Sequence, residues 1–122
     1  HSAAADWARW PAGTIFRLRA TGEIFVVDDY GWALTGRNTI DLYKPSRAAM
    51  NAWGVRHVAI DILHWGDPWA SYHKLKNATK YRHIAQMVRD IRRFHGSPRP
   101  PRLSTDPRAE LMALGISRDR SR

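Results

Sequence analysis

Ile15-Phe16-Arg17-Leu18-Arg19-Ala20-Thr21-Gly22-Glu23-Ile24-Phe25-Val26-Val27-Asp28-Asp29 is the stretch that decides the fold class. Residues 15–19 are rich in strand formers and alternate in part, and residues 23–27 form a nearly continuous apolar run. Thr21-Gly22 between them supplies a tight turn, so the two runs read as a β-hairpin. Before the hairpin, Pro11-Ala12-Gly13-Thr14 reads as a turn, because proline presets φ and glycine accepts positive φ. After it, Asp28-Asp29-Tyr30-Gly31 is a polar loop. Thr39-Ile40-Asp41-Leu42-Tyr43 is a third expected strand, with Ile40 and Leu42 on one face and Asp41 aimed to the other. Pro45–Trp53 reads as a short helix stopped by Gly54, and Val55–Leu63 as a fourth strand with Val58, Ile60 and Ile62 on one face. Strands with one short helix before the last of them predict a small β-barrel rather than a parallel α/β sheet.

The remainder has a different character. Asp67-Pro68 pairs an N-cap with proline at the first helical position. From Ala78 to His95, Ile84, Met87, Val88, Ile91 and Phe94 recur at helical spacing, and Lys80, Arg82, Arg89, Arg92 and Arg93 occupy the other face. Gly96-Ser97-Pro98 stops that helix. An extended linker, Pro98–Arg102, and a short helix over Pro107–Leu114, capped by Asp106 and closed by Gly115, complete the chain. The expected organisation is thus a β-barrel portion over residues 1–66, a basic helical extension over 67–96, and a Pro/Arg-rich tail over 97–122. Charge follows the same division. Up to residue 70, Lys44 and six arginines balance six aspartates and Glu23; beyond it, thirteen Lys and Arg face only Asp90, Asp106, Asp119 and Glu110, which accounts for the net +9. Such a C-terminal part suits polyanions, whether nucleic acid, acidic lipid or an anionic cell-wall polymer, or is a solvated face.

Several function classes drop out. A 122-residue chain with 43% hydrophobic and 25% charged residues suits one domain with appendages. With no cysteine there is no disulfide scaffold, thiol nucleophile or thiolate metal site. No apolar run reaches the roughly 18 residues of a membrane span, and no signal peptide is legible. His57, His64, His73 and His83 lack any recognised metal spacing, and there is no phosphate-binding glycine loop or serine-nucleophile motif, so neither metal nor cofactor is expected.

The acids are more informative. Asp6 precedes the first turn, Asp28 and Asp29 follow the second strand, and Asp41 lies on the polar face of the third. Strand ends converging at a barrel mouth would bring Asp6, Asp29 and Asp41 together; the competing reading makes them turn formers and caps.

At these positions the sequence resembles a known family. Ala4-Ala5-Asp6 and Pro11–Phe16 look like the "VDP…IPLGT.V" opening of the three-aspartate (3D) domain. Asp29–Gly36 resembles its "DTGGAIKG" segment, Thr39–Tyr43 its "(H/R)(I/F)DLY" strand, and Ala48–Gly54 its "A..WG" helix. The resemblance runs from about residue 4 to 63. It extends to stationary-phase survival proteins and to the catalytic barrel of membrane-bound lytic transglycosylase A. It implies a double-psi β-barrel whose cleft holds three aspartates. It also implies cleavage of peptidoglycan glycan strands to 1,6-anhydro products, in the cell envelope or secreted, with Asp41 as general acid/base and Asp29 and Asp6 as supporting carboxylates. Tyr30, Gly31, Trp32, Arg37 and Thr39 become the expected substrate-binding positions, Arg37 toward a lactyl or peptide carboxylate. Tyr30 and Trp32 replace the family's Thr and second Gly, and one extra residue separates Asp29 from Asp41. The family barrel begins about two strands earlier, so this one apparently lacks its first strands and is either open or completed by another chain, such as a second copy.

The implied chemistry suits these residue types. Most glycosidases use two carboxylates, whereas a lytic transglycosylase needs one, because the substrate's own C6 hydroxyl attacks the anomeric carbon at high effective molarity. The acid must hold a proton near neutral pH although free Asp has a pKa of about 3.9, and a rise of about two units corresponds to roughly 2.7 kcal/mol. Neighbouring carboxylates and partial desolvation are the expected source. Among the six tryptophans, Trp53 reads as core, and Trp7, Trp10 and Trp32 as cleft candidates for sugar stacking. Two other classes compete: a non-catalytic cell-wall polysaccharide-binding barrel of expansin-like type, and a nucleic-acid binder using the basic helix and tail, for which no helix-turn-helix or aromatic platform is present.

Overall fold

The Thr21-Gly22 turn closes the expected hairpin. In a computed structural model describing residues 1–100, strand β2 (Ile15–Leu18) pairs antiparallel with β3 (Ile24–Asp29), Phe16 opposite Phe25. Gly22 adopts φ +76° and donates its N–H to the Leu18 carbonyl, a conformation that glycine reaches without a Cβ penalty. The Phe16 and Phe25 rings stack at 5.6 Å and both are buried.

The chain's first residues add a strand that their composition does not announce. Strand β1 (Ser2–Ala4) lies parallel to β3 and antiparallel to a two-residue strand β4 (Asp41–Leu42). Strand β5 (Ile60–His64) pairs antiparallel with the far side of β2, giving a five-stranded mixed sheet in the order β4-β1-β3-β2-β5. The fold accordingly combines one mixed five-stranded sheet with three α-helices, the two longer ones toward the C-terminus. Two strands are shorter than their alternation predicts. Thr39 and Ile40 stay outside β4, and residues 55–59 stay outside β5, where Val55 is fully exposed and Val58 partly so. Alternating apolar residues make a strand only where a partner strand reaches them.

Helix α1 (Arg47–Trp53) starts two residues later than expected, because Ser46 takes the cap and its Oγ accepts from the Ala49 N–H; Gly54 ends it with φ +65°. No residue of α1 is buried. Helix α2 (Pro68–Leu75) begins as the sequence predicts, with Asp67 Oδ1 accepting from Trp69 N–H at 2.9 Å. Helix α3 (Arg82–His95) starts four residues after Ala78, since a turn with Tyr81 N–H on the Ala78 carbonyl intervenes. The expected helix over 107–114 lies outside the described residues.

One cluster joins sheet and helices: Phe16, Leu18, Phe25 and Val27 pack with Trp69 and Leu75 of α2 and with Ile84, Met87 and Ile91 of α3. The opposite face of the sheet holds only a small cluster of Ile15 and Val26, with Ile24 and Leu63 against it. Gly66 stitches the two halves. Its N–H donates to the buried Thr14 Oγ1 at 3.1 Å, and a Cβ there would collide with the backbone carbonyls of Ala12 and Pro11. At the margin of the core, Lys44 bonds Glu23 at 2.9 Å and lies 4.5 Å from the centre of the Trp53 ring. That ammonium holds the Glu23 carboxyl below its ordinary value. The exposed Arg19–Asp61 pair spans β2 and β5, the Arg19 hydrogen bond likewise lowering Asp61.

Candidate active site

Strand register determines where the acids lie. Because β1 runs parallel to β3 and antiparallel to β4, the C-terminal ends of β1 and β3 and the start of β4 share one end of the sheet. Ala4 is the partner of Asp29 on one side and of Asp41 on the other. The two aspartates therefore flank one alanine in a single row, with Cα atoms roughly 10 Å apart from two inter-strand spacings. A β-bulge between Ala3 and Ala4 brings Asp29, rather than Asp28, into that row. Leu42 packs toward the main core with Ala3, so alternation sends Asp41 to the other face, where it is exposed.

Asp6 lies two residues beyond Ala4 and plays a different part. It is completely buried. Its Oδ1 accepts from the Ala8 N–H at 2.9 Å, and its Oδ2 from the Gly36 N–H and from Arg9 Nη1, both at 2.8 Å. Its carbonyl also takes the N–H groups of Arg9 and Trp10. The carboxylate thus closes its own turn and reaches across 30 residues to fix the loop after β3. Gly36 makes the bond with φ +78°. With both oxygens engaged and a guanidinium alongside, Asp6 is a positioning group for the loop, not an open carboxylate beside Asp41. The expected crowding of three free acids reduces to the pair Asp29 and Asp41.

Asp29 is half-buried. Its Oδ1 accepts from the Tyr30 N–H at 2.8 Å, its Oδ2 from the Tyr43 hydroxyl at 3.3 Å, and its carbonyl from Ala5 N–H and the Trp7 indole. Tyr43 directly follows β4, so this bond ties the C-terminal end of β4 to the end of β3. Asp28 is engaged separately, its Oδ2 accepting from Ser2 Oγ.

The expected substrate-binding positions lie along the loop between β3 and β4. Tyr30 is half-buried, its ring edge-on to Trp7 at 5.0 Å and 6.0 Å from His83 of α3. Gly31 opens a single 3₁₀ turn (Trp32–Leu34) with extended backbone, and a Cβ there meets Leu34 at an ordinary 3.5 Å. The position therefore does not require glycine. Trp32, three residues beyond Asp29 at the start of that turn, is 78% exposed. Arg37 and Thr39 are exposed, and Arg37 reaches back to the Ala33 carbonyl at 3.5 Å. Trp7, a cleft candidate by sequence, is a core residue whose indole N–H is consumed by Asp29. Trp10 is half-buried against the same core.

Sequence reasoning missed Arg9. Its guanidinium holds Asp6, donates from Nε to Asn38 Oδ1 at 3.1 Å, and sits 5.6 Å from the Phe94 ring centre. It thereby joins the first turn, the 30–38 loop and α3. The available signal was the Asp-x-x-Arg spacing, which in one turn brings guanidinium and carboxylate together. Among the described residues, no group of three His, Asp or Glu is arranged to hold a metal ion, and no helix is long and apolar enough to cross a membrane.

No protein-family model, curated protein or solved structure matches this chain.

Proposed function

We propose that the chain is the C-terminal portion of a three-aspartate double-psi barrel that cleaves peptidoglycan glycan strands as a lytic transglycosylase, with Asp41 as general acid/base. The observation that carries this reading is the register that sets Asp29 and Asp41 on either side of Ala4. Trp32 adds an uncovered indole at the same end of the sheet. Among the described residues β4 and β5 are the edge strands of the sheet, and together with the parallel β1–β3 pair they suit a barrel portion that further strands complete; a second copy is one source of them.

In this reading a sugar stacks on Trp32 and covers Asp41, excluding water from that otherwise exposed carboxyl group. Asp41 gives its proton to the glycosidic oxygen as the bond to the anomeric carbon breaks. The C6 hydroxyl of the same sugar attacks that carbon, and its proton passes to the Asp41 carboxylate, restoring the acid. No water is consumed, and the product is the 1,6-anhydro sugar. Asp29, held by Tyr43, bears negative charge near the oxocarbenium-like centre, while Asp6 and Arg9 hold the loop that carries Trp32. The basic C-terminal part suits an anionic wall, which points to the cell envelope or the exterior.

Incubating the full chain with purified peptidoglycan tests the proposal. Anhydro-muropeptides are expected by mass spectrometry, and Asp41→Asn, folded as wild type by circular dichroism, is expected to lose activity by about 10²-fold or more, the range for a general acid. Unimpaired release by that variant overturns the assignment. The exposure of Asp41 favours one second reading, a polysaccharide-binding module without turnover; sedimentation with intact peptidoglycan and no soluble product selects it.

A further inference from the structure

A cavity of about 680 Å³ opens at the junction of the first turn with the helices, away from the row of Asp29, Ala4 and Asp41. Its size is that of a small-molecule site. Its walls combine two indoles, Trp65 and Trp69, with three nitrogen-bearing side chains, Arg9, His95 and Arg99. Trp69 is buried and fixed, its ring edge-on to Tyr72 at 5.6 Å and near His95 at 6.4 Å. Trp65, by contrast, is 53% exposed, and among the described residues no other ring stacks on its indole, whose flat apolar face is on the cavity wall.

The charges are as selective as the rings. The acid in the wall, Asp67, is turned into the start of α2, where it caps Trp69 N–H. Arg9 is partly spent on Asp6. Arg99 takes part in none of the ion pairs among the described residues, and its backbone is anchored by the His73 ring at 2.8 Å on its carbonyl. A planar guanidinium of this kind pairs bidentately with a carboxylate.

The geometry points to a binding site for a small ring-bearing carboxylate, its ring on Trp65 and its anionic group on Arg99 with Arg9 behind. The ring is either a pyranose, as in a sugar acid, or an aromatic system, as in an aryl acetate; both present a flat face and one carboxylate. This site is independent of the Asp41 chemistry.

The test is a titration of the ¹⁵N-labelled full chain followed by the indole N–H resonances of its six tryptophans, assigned by Trp→Phe replacement. The probes are glucuronate and glucose, and indole-3-acetate and indole. At least one anion is expected to shift Trp65 and saturate at millimolar concentration, with its neutral counterpart about tenfold weaker; which anion does so identifies the ring. Arg99→Ala is expected to erase most of that preference, and Trp65→Ala, read at the Trp69 indole on the same cavity wall, to weaken binding about tenfold, while without ligand the other five indole resonances of that variant stay in place. Absence of a shift with both anions up to about 20 mM, far above a millimolar Kd, overturns the proposal. So does equal binding of neutral and anionic probes, or anion binding unchanged in both variants.

Discussion

Removing the Asp6 carboxylate is expected to damage the fold more than any other single change at the candidate site. Asp6→Ala leaves the buried N–H of Ala8 and the part-buried N–H of Gly36 without an acceptor, at about 1–3 kcal/mol for the first and toward the low end of that range for the second, which water can reach. It also strands the Arg9 guanidinium, though that side chain is 26% exposed and can turn partly to water, which keeps the penalty below the full value for a broken buried pair. The sum is about 3–5 kcal/mol out of a typical total of 5–15. Asp6→Asn keeps one acceptor oxygen, which can serve Ala8, but points an amide N–H₂ at donors on the other side, so about 2–3 kcal/mol is expected. Urea denaturation followed by circular dichroism reads both. With a slope of about 1–3 kcal/mol per molar, the midpoint falls by about 1 M or more, alanine below asparagine. Hydrogen exchange at Gly36 should accelerate in step. An asparagine variant within about 0.5 kcal/mol of wild type, with Gly36 still protected, refutes the reasoning and returns Asp6 to the set of open carboxylates.

The other predictions concern separate places. Gly66→Ala forces a Cβ against the Pro11 and Ala12 carbonyls, backbone that cannot rotate away; a loss of about 3 kcal/mol or more is expected, read as a lowered thermal midpoint. Lys44 holds the Glu23 carboxyl below its ordinary value, so the pair's contribution is present above the unfolded value near 4.3 and disappears as pH falls through the lower folded one. Glu23→Gln is expected to cost about 1 kcal/mol at pH 7 and to flatten stability between about pH 5 and 3; equal slopes for both proteins would show the pair to be idle. Trp32→Ala should leave stability within about 0.5 kcal/mol, since the indole is exposed, yet reduce retention on peptidoglycan.

Much of the fold was legible where local chemistry and tertiary demand agree. The 15–29 hairpin, the Asp67-Pro68 helix start and the apolar stripe of Ile84, Met87 and Ile91 all read directly from residue type and spacing. Strand β1 did not, because Ser2-Ala3-Ala4 has weak strand preference and is extended only by its two neighbours. Residues 55–59 failed in the opposite sense: strand-forming valines found no partner. At the candidate site, the sequence pointed to Asp6, Asp29 and Asp41 but could not distinguish their environments. The Asp6–Arg9 pair is local, but the environment of Asp6 also depends on Gly36 arriving from 30 residues away, which no local pattern encodes.

The placement of β1 has a consequence for how the molecule assembles. The hairpin forms from neighbours in sequence, but β1, which precedes it in the chain, must wait for residues 24–29 and 41–42 before it has anything to lie between. Until it docks, the outer margin of β3 is a bare row of amides and carbonyls, open to any passing chain. Three small residues make a reluctant strand, and that reluctance keeps the segment from pairing early with the wrong edge.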